Sequence, residues 1–536
     1  MNRRGRIALL AGIALALAEA PARAGGPPST LFATSDQCSA CHDGLTTKSG
    51  ADVSIAVEWR AGVMANSSRD PYWQAAVSRE IADHPEVRDA IEDTCSTCHM
   101  PMSRFAAQAS GEKGEILAHL PFRGGAQKPD PLAEEGVSCS LCHQIEEQRF
   151  GHPESFNGGF VIDTKLPPGE RREYGPFEVQ LGLARIMASA SQFVPSESPH
   201  VRRSELCATC HTLYTEAYRG KTVVGRFAEQ VPYLEWQHSS YRQTASCQSC
   251  HMPVPDSTAP IASVLGFDRA DFAQHTFFGG NFFLLGMLNR YRDELAVAAL
   301  PQELDRTHRG TVDFLQHRTA AVRLSSRGVA KGRHEIEVTV ENLTGHKLPT
   351  AYPSRRAWIH FTARDARGRV VFESGRLLAD GSIAGNHNDA DGRTFEPHYL
   401  RIDQPEQVQI YEPILATADD AVTTGLLSAT HYAKDNRLLP HGFDKQTAGK
   451  DFAVWGGAAG DPDFTGGGDQ IVYVVPGGGE PPLQIEAELW YQPIGFRWAM
   501  NHTAYPQPES RRFVSYYRSM SAASAVRLAA GTLEVP

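Results

Sequence analysis

Ten cysteines fall between positions 38 and 250 of this 536-residue chain, in five pairs. Each pair has two residues between its thiols and a histidine directly after the second: Cys38, Cys41 and His42; Cys95, Cys98 and His99; Cys139, Cys142 and His143; Cys207, Cys210 and His211; Cys247, Cys250 and His251. Two thiols three positions apart can add to the two vinyl groups of one heme, and the adjacent imidazole then reaches the iron as proximal ligand. Disulfide loops or zinc sites built from paired CxxC units would use the same cysteine spacing, but neither requires histidine after every second cysteine. Histidine fills 21 of 536 positions, so five such coincidences have a probability on the order of one in ten million under the attachment pattern. The motifs predict five covalently attached hemes c.

Five proximal ligands leave the sixth iron position of each heme open, and its occupant separates a carrier from a catalyst. A second histidine or a methionine closes the iron for electron transfer, whereas an open position can bind and reduce a substrate. Sixteen histidines lie outside the motifs. His84, His119 and His152 lie among the heme motifs, and each could equally be a solvated loop residue.

The N-terminus fixes the compartment. Met1 to Arg6 is basic, Ile7 to Ala18 is almost continuously apolar, and Ala22-Arg23-Ala24 is a small-residue cleavage site, so residues 1–24 read as a secretory signal with Gly25 opening the mature chain. The expected location is periplasmic or extracellular. No later stretch supplies the roughly eighteen apolar residues of a membrane span. Removing the signal leaves 48 basic against 61 acidic residues, about −13 at neutral pH, which disfavours nucleic acid and favours basic redox proteins as partners. Oligomeric state is not readable.

Around the motifs, Asp70-Pro71 followed by Trp73, Val77 and Ile81 predicts a helix that His84-Pro85 interrupts, with a second short helix over 85–93 delivering Cys95. The segments 123–131 and 167–176 are rich in Gly, Pro and polar residues and predict loops. Helical spacing recurs over 277–299, 305–322 and 512–528. Strand patterns appear at 334–340, 357–361, 370–372, 407–410, 471–475 and 483–489, with Arg364 to Gly368 as a hairpin turn. The expected fold class is α+β: a mainly helical, loop-rich multiheme cytochrome c domain over 25–320, then a β-sandwich-like domain with a C-terminal helix over 321–536.

Several segments resemble multiheme c-type cytochromes related to the tetraheme cytochrome of nitrification and, more distantly, to hydroxylamine oxidoreductase. They are Trp59 to Pro71, Glu135 to Cys139, Ser204 to His211, Glu229 to Gln237 and Cys247 to Pro253. Similar proteins carry an H-x-F-x-G-x-N segment after the last heme motif and a T-G-H-K-x-P-T turn opening a β domain, here His275 to Asn281 and Thr344 to Thr350. The resemblance implies His275 and His346 as distal ligands, with His200, seven residues before Cys207, and His238 as further candidates. Where the family pattern places a ligand histidine after the first tryptophan, this chain has Val63-Met64-Ala65. Met64 then becomes a candidate ligand of the first heme, with Met187 behind it, and thioether ligation would raise that heme's potential.

Three functional readings follow. The first is an electron-transfer relay without catalysis of its own. The second is an oxidoreductase with an open iron acting on a small nitrogen or sulfur oxyanion, although no CxxCK motif is present. The third is a component of an extracellular cytochrome wire. Lys347, Arg355 and Arg356 are candidate partners for heme propionates. The Asn386 to Gly392 loop does not follow calcium-loop spacing and is assigned no ion.

Overall fold

The computed structural model describes residues 31–536. The signal segment 1–24 and the mature start at Gly25 lie outside the described residues. The fold class is α+β: mostly helices and turns with three small two-stranded sheets up to Arg318, then mainly strands from Ala320 onward.

All five motifs begin on a helix or a single helical turn, within Ser35–His42, Arg88–His99, Cys139–Cys142, Ser204–Ala208 and Cys247–His251. The local reason is geometric, since residues three apart share one helix face and so present both thiols together. The helix Pro71–Asp83 starts as the sequence predicts: Asp70 accepts hydrogen bonds from the amides of Tyr72 (2.8 Å) and Trp73 (3.3 Å), and Pro71 occupies the first turn. His84 ends it. The next helix runs unbroken from Arg88 to His99, longer than the expected 85–93 segment, and carries the second motif whole.

Beside a three-stranded sheet of Val422–Thr423, Pro413–Ala416 and His431–Asp435, two larger sheets form the second half. The strands are β1 (Ala320–Ala330), β2 (Arg333–Asn342), β3 (Arg356–Arg364), β4 (Val370–Ser374), β5 (Gly468–Pro476), β6 (Leu483–Gln492) and β7 (Val526–Val535). One sheet has the order β4-β3-β6-β7, with the short segment Ile410–Tyr411 also paired to β3. The other places β5 between β2 and a parallel Arg401–Ile402 segment, with β1 beyond β2. Strand β2 alternates as a half-buried strand should, with Ile336, Val338 and Val340 inward between outward polar residues. Phe361 on β3 and Tyr473 on β5 stack at 4.1 Å and 5°, joining the two sheets face to face through a common core.

Three sequence expectations give way. The helical pattern over 512–528 stops at Met520, and the chain closes on β7, whose partner β6 captures it across a full antiparallel register. Of 277–299 only Phe282–Arg290 is helical. The 407–410 pattern contributes only Ile410–Tyr411. The hairpin of Leu213–Arg219 with Thr222–Gln230 and the helix Leu181–Ser191 were not foreseen in the motif half.

The halves are bolted together at several points. Arg79 Nη1 donates to Thr424 Oγ1 (2.8 Å), Ser78 Oγ to Glu509 (2.8 Å), and the Leu426 amide to Glu80 (2.8 Å). No helix among the described residues is long and apolar enough to cross a membrane.

Candidate functional site

The short helices enclose one continuous cavity of about 1910 Å³, and all ten motif cysteines and all five motif histidines line it. Pockets for one drug-sized ligand run roughly 300–1,000 Å³, so the volume suits several large groups. Its walls include Trp59, Trp73, Ile91, Phe272 and Leu284.

Four of the five motif histidines are held in a common way. The Nδ1–H groups of His42, His99 and His143 donate to the carbonyls of Ile261 (2.6 Å), Ser67 (2.9 Å) and Tyr174 (2.6 Å), and that of His251 donates to Phe278. Such a bond fixes the tautomer and aims Nε2 at a metal. Burial pushes all five imidazoles below their ordinary range, His99 and His211 to about 4, which keeps them in the neutral form a metal requires. The Trp73 indole lies flat on the His99 ring at 4.3 Å and 2°.

Two further histidines face motif histidines across the cavity. His275 is paired with His143 at 6.3 Å between ring centroids and 23° between planes, and His346 with His251 at 6.2 Å and 10°. Metal–imidazole bonds of about 2 Å plus half a ring on each side place two axial imidazoles about 6 Å apart. Their Nδ1–H groups also donate to carbonyls, of Ala273 (3.1 Å) and Lys347 (2.9 Å). Burial lowers His275 to about 3 and His346 to about 4. Glu58 braces the first of these, accepting from the His275 amide (2.7 Å) and Gln274 (2.7 Å).

His200 is a correction. It is buried but does not line the cavity, and both ring nitrogens are committed, Nδ1 to Ser198 Oγ (2.6 Å) and Nε2 to the Ile145 carbonyl (2.8 Å). It stitches a turn together. His84, His119, His152 and His238 also stand away from the cavity wall. Met64 and Met187 line it. Met64 is fixed by backbone: its carbonyl accepts from Val137 N (3.0 Å), an approach that Gly136 permits at φ +61°, because a Cβ there would lie 2.7 Å from that same oxygen.

Sequence reasoning missed His317, which lines the cavity with Nδ1 held by the Asp313 carbonyl (2.9 Å). It ends a polar helix and carries no motif around it. Of the three proposed propionate partners, Arg355 lines the cavity, whereas Lys347 and Arg356 are buried against Asp435 (2.6 Å) and Asp389 (2.7 Å).

Contacts between motifs give their spatial order. The helix Ser35–His42 packs on the turn Cys139–Cys142, beside Ala33 N donating to Ser140 Oγ (3.1 Å), so the first and third motifs adjoin. Cys98 with Cys210, and His99 with His211, join the second to the fourth. Cys207 with Cys247, and His211 with His251, join the fourth to the fifth, and Cys142 feels Cys210, linking third to fourth. Beside the second motif, Glu80 and Glu229 act on each other and on Cys95, and burial raises their carboxyls to about 7 and about 8.

A fold of this kind is known. It is similar to that of a solved penta-heme cytochrome. The crystal structure of a penta-heme cytochrome c552 from Thermochromatium tepidum superimposes with a TM-score of 0.52 and 17% identity, over 95% of this chain and 100% of the other. No protein-family model and no curated protein sequence matches the chain.

Proposed function

We propose that this chain is an exported c-type cytochrome that carries five hemes and passes electrons along them between redox proteins. The observation that carries the reading is the convergence of five CxxCH motifs on one cavity. The fold shared with a penta-heme cytochrome supports it. Cys38 and Cys41, Cys95 and Cys98, Cys139 and Cys142, Cys207 and Cys210, and Cys247 and Cys250 would hold the macrocycle edges, with His42, His99, His143, His211 and His251 on the irons. His275 and His346 would complete the third and fifth sites, and Met64 the first. Heme iron, when bound, supplies one-electron exchange between ferric and ferrous states. The chain's own part is to fix Nε2 of His42, His99, His143 and His251 by a carbonyl behind each ring, to exclude water and to keep the centres within reach of one another. A net charge of −10 for the whole chain suits basic partners met in a periplasmic or extracellular space. The test is heme stoichiometry by pyridine hemochrome together with intact mass: five per chain is expected, and four or fewer would defeat the reading.

A second reading, an oxidoreductase with an open iron, draws on the proton-holding pair Glu80 and Glu229 beside the second motif. A high-spin ferric band shifting with nitrite, hydroxylamine or cyanide would favour it over the pure relay.

A further inference from the structure

The turn that carries His346 is gripped from the motif half by one carboxylate. Glu235, on the helix Pro232–Gln237, is fully buried. Its Oε2 accepts from the Lys347 amide (3.1 Å) and from Thr350 Oγ1 (2.5 Å), so it holds the turn on both sides of the cis Leu348–Pro349 bond. The Lys347 carbonyl is in turn the acceptor that orients the His346 ring.

Behind this grip lies a closed set of four buried charges. Arg437 Nη1 is 3.1 Å from Glu235 Oε1, and Arg437 Nη2 is 2.7 Å from Asp435 Oδ2. Lys347 Nζ donates to Asp435 Oδ2 (2.6 Å) and to the Ala453 carbonyl (3.0 Å). None of the four side chains is more than 3% exposed. Two anions balance two cations, and one of the anions comes from the motif half. An apolar seam would serve adhesion as well or better, because burying such a network costs more desolvation than its attractions reliably return. What the charged arrangement adds is direction: Glu235 Oε2 takes a backbone amide and a hydroxyl while Oε1 faces the Arg437 guanidinium as an ion pair.

We infer that Glu235 is a positioning residue for His346, setting the orientation and electrostatic surroundings of the iron site that His346 and His251 would share. The inference rests on the reading of that pair as axial ligands. Neutralising Glu235 leaves one uncompensated buried cation beside that site and loosens the turn. A nearby positive charge disfavours the ferric state, so the midpoint of that one heme rises.

The experiment is a redox titration of the full-length, heme-loaded protein, resolved by visible and electron paramagnetic resonance spectra. Glu235→Gln should raise one midpoint and alter one low-spin ferric signal, leaving four midpoints in place, and Glu235→Asp should restore much of the change. Asp389→Asn is the control: it breaks the buried Arg356–Asp389 pair (2.7 Å), which does not line the cavity, and should lower Tm with all midpoints fixed. If Glu235→Gln lowers Tm in the same way but moves no midpoint, Glu235 is structural only and the inference falls. Should that variant fail to load heme, Thr350→Val removes a single donor to the same carboxylate. A smaller shift at the same heme supports the inference, and none overturns it. His346→Ala separates the two layers: loss of one low-spin signal upholds the axial pair, and five unchanged signals remove that pair and the inference with it.

Discussion

In the sheet-bearing half, side chains bury one another: Ile336, Val338 and Val340 of β2 and Phe361 of β3 are at most 1% exposed and meet across two sheets. The motif half instead wraps mostly short helices, with the eighteen-residue Pro301–Arg318 among them, around a hollow; Phe283, Leu288 and Leu304 join the sheet core, and the other buried residues separate into several small clusters. One half is filled by side chains, to which the segment 282–315 contributes. The other has the walls of a core whose contents, under the proposed function, are macrocycles. The contrast teaches that secondary structure is scarce where a prosthetic group can supply the apolar surface that strands or long helices would otherwise have to provide.

The largest test of this contrast is removal of an attachment site. Replacing Cys207 and Cys210 together by serine should abolish assembly of the motif half, seen as heme loss and rapid proteolysis before residue 320, while a fragment bearing β1 to β7 persists. Equal loss of both halves would show that they fold as one. Phe361→Ala attacks the other side: truncating a buried aromatic costs about 3–5 kcal/mol, so Tm should fall with five hemes retained. His200→Ala should cost about 1–3 kcal/mol by leaving its partners unpaired, with all heme spectra unchanged, and a lost low-spin signal would return His200 to the ligands. Glu229 gives a pH-dependent effect. Its folded carboxyl is raised to about 8, so the folded chain holds a proton that the unfolded chain releases near pH 4.3. That contribution is complete at low pH and disappears as pH rises through about 8. Glu229→Gln should flatten the decline of Tm between those limits, and an unchanged slope would contradict it. Smallest in stability is Met64→His, which should leave Tm in place and lower the midpoint of one heme, since a second imidazole favours ferric iron more than a thioether does. Five unchanged midpoints would remove Met64 from consideration.

Local signals were legible wherever neighbours in sequence decide the outcome. Asp70-Pro71 announces its helix because cap and first turn lie within four residues, and the turn at 364–368 announces its hairpin because Asp365 accepts from the amides of Arg367 and Arg369. Where distant partners decide, the sequence misled. The helical pattern before Leu528 yields to β7 because β6 offers a long row of backbone partners, bulged once at Leu528. His200 looked like a ligand from its distance to Cys207, but the carbonyl of Ile145 claims its Nε2. His317 was overlooked because nothing near it in sequence marks the cavity it reaches.

Drawn as a graph, the motif contacts converge on one vertex. Among the described residues the fourth motif meets the second, third and fifth, and the first meets the third. Deleting the fourth leaves three disconnected pieces and deleting the third strands only the first, whereas deleting the first, second or fifth leaves the remainder whole. Robustness is therefore unevenly distributed: damage at a terminal motif shortens the network by one, and damage at Cys207 to His211 turns one network into three.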